Sequence, residues 1–111
     1  MEIEYKDFIK LDIRVGLIKS CENIPKSRNL YKLMVDCGEK NLRQILTGIS
    51  LYYSPKELVN EKIVVLTNLK TKKIMGIESQ GMLLAADFKS EPYLLKIDER
   101  RRSIPPGCKI K

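Results

Sequence analysis

The sequence predicts an all-β domain, a five-stranded barrel with a short capping helix and a C-terminal extension. Apolar and polar residues alternate in several short runs, a period of two that suits strands lying on a core. Clusters of Gly, Pro, Asn and Ser separate the runs, and one strong helix start falls between the third and the fourth.

Each element can be placed in order. Leu11, Ile13, Val15 and Leu17 are apolar while Asp12, Arg14 and Gly16 are not, which predicts a half-buried first strand over Leu11 to Leu17. Gly16 predicts a bulge or sharp bend, the device by which a long first strand serves both sides of a small barrel. Asn23 to Asn29, with Pro25, reads as a polar loop, after which Tyr31, Leu33 and Val35 form the inward face of a second strand. Gly38-Glu39-Lys40-Asn41 is the turn into a third strand around Leu42 to Thr47. Ser54 as cap, Pro55 at the first helical position and Glu57 at the third predict a short helix over Pro55 to Val59, against which Tyr52 and Tyr53 pack. Ile63 to Leu66 is a buried fourth strand and Gly81 to Phe88 the fifth. Tyr93 to Ile97 reads as a strand beyond the barrel and Asp98 to Ser103 as an exposed charged turn. A helix between the third and fourth strands of a five-stranded barrel is the OB-fold arrangement.

Composition narrows the function. At 111 residues the chain is a single domain, 1–111, able to bury about two-thirds of its unfolded surface without staples. The net charge of +7 favours a polyanionic partner, although a basic balance also serves solubility. Cys21, Cys37 and Cys108 are odd in number and form no Cys-x-x-Cys pair, so they read as free thiols, with neither a disulfide nor a metal site. No cofactor is expected. Neither a leader-like start nor a membrane-length apolar run is present, so the expected location is cytoplasmic, with no membrane partner.

Catalysis finds little to work with. Histidine is absent, so no serine or cysteine has an imidazole base, and a lysine-activated cysteine is the alternative left. Gly76 and Gly81 flank Ile-Glu-Ser-Gln with no Gly-Lys-Ser/Thr after them, so there is no phosphate loop. Binding is better supported. Arg14, Lys32 and Arg43 lie on the polar sides of their strands, and Lys70, Lys72 and Lys73 follow in a loop, a set that can track phosphates. Asn68 and Ser79 add hydrogen-bonding groups for a sugar or base. The plain alternative, that each cation only solvates a barrel face, weighs most at Lys70 and Lys72 and least at Lys32 and Arg43, which interrupt apolar strands. Met82 opens the run Met-Leu-Leu-Ala-Ala, a position more often core than ligand surface.

The stretch from Asn68 to Ala86 closely resembles the NLKP-x-K-x-x-G-x-x-S-x-GM-LA block of tRNA-binding OB domains, which occur appended to methionyl-tRNA synthetases and as free-standing small proteins. Asp7 to Gly16, Leu30 to Gly38, Arg43-Gln44-Ile45 with Gly48, and Ile104-Pro105-Pro106-Gly107 resemble further blocks of that family in the same order. The resemblance implies a non-catalytic tRNA-binding protein, the β subunit or accessory of a methionyl-tRNA synthetase whose catalytic subunit acts in trans. The synthetase signatures HIGH and KMSKS are missing. Structured RNA hides its base edges in a deep groove, so recognition by shape and backbone charge is expected. In the family the counterparts of Asn68, Ser79 and Met82 belong to the RNA-facing side, which raises Met82 as a contact. Free-standing relatives dimerise through their C-terminal segment, so a homodimer is expected, with Tyr93 to Ile97 as an unpaired edge to cover. Thr71 stands where proline is usual, Met75 where arginine is frequent, and Arg28-Asn29 where Asp-Lys is common; these departures alter local phosphate contacts and leave the strands intact. The family also includes a secretion-linked chaperone and cytokine-like domains, an alternative protein-binding role. The chaperone type generally lacks the Gly-Met-Leu-Leu-Ala block present here.

Overall fold

A computed structural model describes residues 1–111. The chain runs α1 (Tyr5–Phe8), β1 (Ile13–Asn23), β2 (Tyr31–Asp36), β3 (Arg43–Thr47), α2 (Pro55–Leu58), β4 (Lys62–Leu66), β5 (Lys72–Ile74), β6 (Ile77–Ser79), β7 (Met82–Leu83), β8 (Ala85–Phe88) and β9 (Glu91–Leu94). Five strands form one antiparallel sheet in the order β3-β2-β1-β4-β7, which curls into a nearly closed barrel.

β1 carries the curl. Its first half pairs with β4 and its second with β2, and the register slips between Ile18 and Ser20. The bend therefore lies at Lys19 and not at Gly16, where the sequence suggested it. Gly16 is needed for a different reason: a Cβ there would meet Val35 Cγ1 at 2.7 Å and Val65 Cγ2 at 2.8 Å. Ile13 and Val15 are buried as the alternation predicts. The central cluster takes Ile18 from this strand, together with Leu33, Val35, Ile45, Ile63, Val65 and Leu83. Ile13 and Val15 lie outside that cluster, where residues 107–110 return alongside β1: Val15 N–H donates to Cys108 O (2.9 Å), Gly107 N–H to Val15 O (2.8 Å) and Ile110 N–H to Ile13 O (2.9 Å).

α2 is capped as the sequence predicts, Glu57 N–H donating to Ser54 Oγ (3.3 Å) and Ser54 N–H to Glu57 Oε1 (2.8 Å). It ends one residue early because Val59 is extended, and it drops Leu58 into the core. Tyr31 is buried and donates its hydroxyl to Tyr53 O (2.7 Å), while Tyr53 packs on the core and Tyr52 stays exposed.

The fifth strand differs from the predicted Gly81–Phe88. Met82 and Leu83 join the barrel, while Ala85–Phe88 leaves it to pair with β9 across a Lys89-Ser90 turn. β9 is thus paired on one side, by β8, and Leu95 N–H continues inward to Leu84 O (3.1 Å), so Tyr93 to Ile97 is not the wholly unpaired strand that the sequence suggested, although its outer side carries no strand. α1 and the β5–β6 hairpin were not legible in the sequence. The hairpin turns on Met75 (φ 53°) and Gly76 (φ 80°), both left-handed as a tight two-residue turn requires. No helix is long and apolar enough to cross a membrane.

Candidate nucleic-acid interface

The segment between β4 and β7 projects the β5–β6 hairpin from one end of the barrel, and it carries Lys70, Lys72 and Lys73. All three are exposed and form no ion pair within the chain. Adjacent residues on a strand point to opposite faces, so Lys72 and Lys73 present charge on both sides of the ribbon. Glu78, across the ladder from Lys73, offsets part of it.

Arg43 occupies the base of this hairpin. Its guanidinium forks onto Glu39, Nε to Oε1 at 2.7 Å and Nη2 to Oε2 at 2.9 Å. Nη1 donates to Thr67 O (2.9 Å) and Gln80 O (2.7 Å), the carbonyls at the two feet of the hairpin. The side chain is thereby a staple, where the sequence suggested a free strand-surface cation open to phosphate. Beside the staple, Gln80 N–H donates to Gln44 O (2.8 Å), Gln44 N–H to Gln80 Oε1 (2.9 Å) and Leu46 N–H to Ser79 Oγ (3.0 Å). One main-chain bond and two side-chain acceptors thus stand in for the missing β3–β7 ladder. Between the β2–β3 turn and the hairpin foot lies an open cleft of about 340 Å³ lined by Lys40, Asn41, Arg43, Thr71 and Gln80 among others.

The other predicted residues divide clearly. Asn68 spends both ends of its amide on the fold, accepting from Asp12 N–H (2.8 Å) and donating to Lys10 O (2.7 Å). Ser79 is buried and donates to Gly81 O (3.2 Å) while it accepts from Leu46, so its hydroxyl faces the barrel. Met82 is 44% exposed, which settles the choice between core and surface in favour of surface. Arg14 forks onto Asp12 at 2.9 and 3.0 Å. Lys32 is paired with Leu46 along β2–β3, away from the Arg43 end, and reaches Glu22 at 3.7 Å. The hairpin lysines and Met82 are thus the accessible members, and Arg43, Asn68 and Ser79 hold the elements that present them. Lys40, Gln44 and Gln80 were missed as site residues; Gln44 and Gln80 carry no charge, and although Gln44 lies in a family-like block, nothing marks their pairing before the strands are set side by side.

Burial pushes the Cys21 and Cys37 thiols up to about 11, which keeps both protonated and poor nucleophiles at neutral pH. No group of three or more Cys, Asp or Glu is placed to hold a metal ion. The hydrogen bonds from Arg43 hold Glu39 below its ordinary value of 4.5, and those from Arg14 hold Asp12 below 3.8. As pH falls, the unfolded chain takes up these protons first. Their contribution to stability is complete above the ordinary values and disappears as pH drops through the folded ones. Melting temperature should therefore decline between about pH 5 and 3, and Glu39→Gln should flatten part of that decline. A parallel acid profile for the variant would show that the Glu39–Arg43 fork contributes nothing.

Comparison with known proteins gives this geometry a family. A family model described as a putative tRNA binding domain matches residues 13–109. The methionine–tRNA ligase of Methanosarcina acetivorans is 52% identical over 110 residues, which is 99% of this chain and 15% of that protein. Among solved structures, a MetRS-related protein from Pyrococcus horikoshii is similar at 38% identity and TM-score 0.88 over 100% of both chains. The CsaA chaperone protein of Picrophilus torridus is similar at 32% identity and TM-score 0.87, covering 99% of this chain and 100% of that one. The chain spans only about a sixth of the length of the curated ligases it matches. On the family match and these identities, the chain belongs to the tRNA-binding domain family.

Proposed function

We propose that this protein binds structured tRNA by shape and backbone charge and serves, without catalysis of its own, as a trans-acting accessory or β subunit of a methionyl-tRNA synthetase. The observation that carries the reading is the segment that extends exposed Lys70, Lys72 and Lys73, only partly offset by Glu78, from a stapled base, with exposed Met82 beside it. Lysines track phosphates, and a polarisable methionine lends an apolar surface to an unstacked base. Lys32 and Arg14 contribute at the edge of the site, and Asn68 and the buried Ser79 contribute through the backbone they fix. Such a subunit raises the local concentration of tRNA around its catalytic partner in the cytoplasm. A homodimer suits the role, since Phe88, Tyr93 and Leu95 are exposed around the β8–β9 hairpin.

The test is tRNA binding across a salt series. The affinity should fall by about 0.7–0.9 log units per log unit of salt for each neutralised phosphate. Lys72→Gln with Lys73→Gln should weaken binding about tenfold, on the order of 0.7 kcal/mol per lysine, with no change in melting temperature. A salt-independent affinity would remove the electrostatic reading. The similarity to a chaperone supports a second reading, binding of unfolded polypeptide. Denatured client that competes with tRNA and is protected less well by the same double variant would favour it.

A further inference from the structure

The sequence marks Asp98 to Ser103 only as a charged, exposed turn, and the hairpin site makes no use of it. In the structure it is cross-braced, together with Ile104, by side-chain hydrogen bonds. Lys62 Nζ, at the start of β4, donates to Glu99 Oε2 (2.7 Å), to Ser103 Oγ (3.0 Å) and to Ile104 O. Glu99 Oε2 also accepts from Ile104 N–H (2.7 Å), which closes the turn on itself. Asp98 accepts the Arg100 backbone N–H (3.1 Å) and the fork of its guanidinium, Nε at 3.0 Å and Nη2 at 2.7 Å.

Charge is sorted by these contacts. Glu99 is neutralised by Lys62 and Asp98 by Arg100, so both carboxylates of the turn are occupied. Arg101 and Arg102 remain exposed with no ion pair in the chain, and together with Asp98 and Ile104 they line an open cleft of about 360 Å³. Two unpaired guanidinium forks on a braced loop match the geometry of phosphate oxygens, and bracing lowers the ordering cost of binding.

Its place in the fold matters as much as its charge. The turn is pinned at Lys62, the first residue of β4, whereas the lysine hairpin follows Leu66, the last. Four strand steps of about 3.3 Å separate those ends, roughly 13 Å before either side chain reaches outward, so one phosphate cannot touch both. We infer that the 98–104 turn is a second phosphodiester-binding patch, in which Arg101 and Arg102 grip RNA backbone at the end of β4 opposite the lysine hairpin. The inference rests on the tRNA reading proposed above and adds a second contact to it. A molecule with two basic ends engages a long, stiff polyanion at separated points, and the second contact is intramolecular once the first has formed.

The experiment compares the full chain with Arg101→Gln/Arg102→Gln and with Lys72→Gln/Lys73→Gln, following tRNA anisotropy over a salt series. The arginine variant should lose about 1.4–1.8 from the log–log salt slope, two phosphates at 0.7–0.9 each, and keep its melting temperature. In a second arm, the Nε–H signals of Arg101 and Arg102 should shift with tRNA at concentrations at which inorganic phosphate leaves them unmoved. An arginine variant with the parent's slope and affinity would overturn the second patch while the lysine variant still tests the first. Equal response to inorganic phosphate would overturn the assignment to RNA, and a parent chain with no tRNA affinity would overturn both readings.

Discussion

Replacing Arg43 by Ala should destabilise the protein by about 2–3 kcal/mol and lower its melting temperature by roughly 8–15 °C, with tRNA affinity falling as the hairpin loosens. The side chain makes four hydrogen bonds, two to a carboxylate and two to backbone carbonyls on either side of the hairpin. Their removal leaves Glu39, whose side chain is about one-third exposed, without its cation, and leaves Thr67 O and Gln80 O to water. Partial exposure keeps the loss below that of a fully buried pair. Arg43→Lys is the informative control, because a single ammonium keeps the charge and cannot serve both carbonyls and the fork at once. The lysine variant should recover little of the melting temperature. A variant that binds tRNA poorly while melting with the parent would assign Arg43 to the RNA and refute the staple.

Gly38→Ala should be comparably severe and should act at a distance. Gly38 has φ +79°, and a Cβ there would stand 2.7 Å from Gly107 Cα and 2.9 Å from Pro106 O. Those neighbours are backbone and cannot rotate away, and the conformation itself disfavours a side chain. Relief requires the segment around Gly107 to lift, which breaks its hydrogen bonds to Val15 and Ile13 on β1. We expect a loss of about 2–4 kcal/mol together with fast amide exchange at Val15 and Ile110. Slow exchange at both amides in a variant as stable as the parent would show that the segment tolerates the added carbon.

The sequence disclosed elements whose determinants are local. The Ser54-Pro55-Lys56-Glu57 start carries its own hydrogen-bonding partners, and the alternation in Tyr31 to Val35 depends only on which face meets the core. What stayed hidden depends on distant partners. Gly16 reads as a bend until Val35 and Val65 are seen against it. Ser79 and Asn68 read as outward hydroxyl and amide because nothing nearby in the chain indicates that Leu46, Asp12 and Lys10 will claim them. Arg43 was legible as a cation on a strand, yet its meaning comes from carbonyls at positions 67 and 80. The exposure of Lys70, Lys72 and Lys73 was readable, because an exposed lysine needs no partner, but on sequence alone the plain solvation reading weighed most at Lys70 and Lys72.

The side-chain closure of the barrel bears on solubility. β3 is the margin of the five-stranded sheet, and a sheet margin ordinarily offers unpaired amides to any passing strand. Here the Gln44 amide is taken by Gln80 Oε1, the Leu46 amide by Ser79 Oγ, and the Gln44 carbonyl by the Gln80 amide. An intruding chain finds no ladder to extend. Strand addition, whether by a fibril or by a captured polypeptide, is thereby disfavoured at this margin, whereas the two-stranded β8–β9 ribbon keeps an outer margin on each strand.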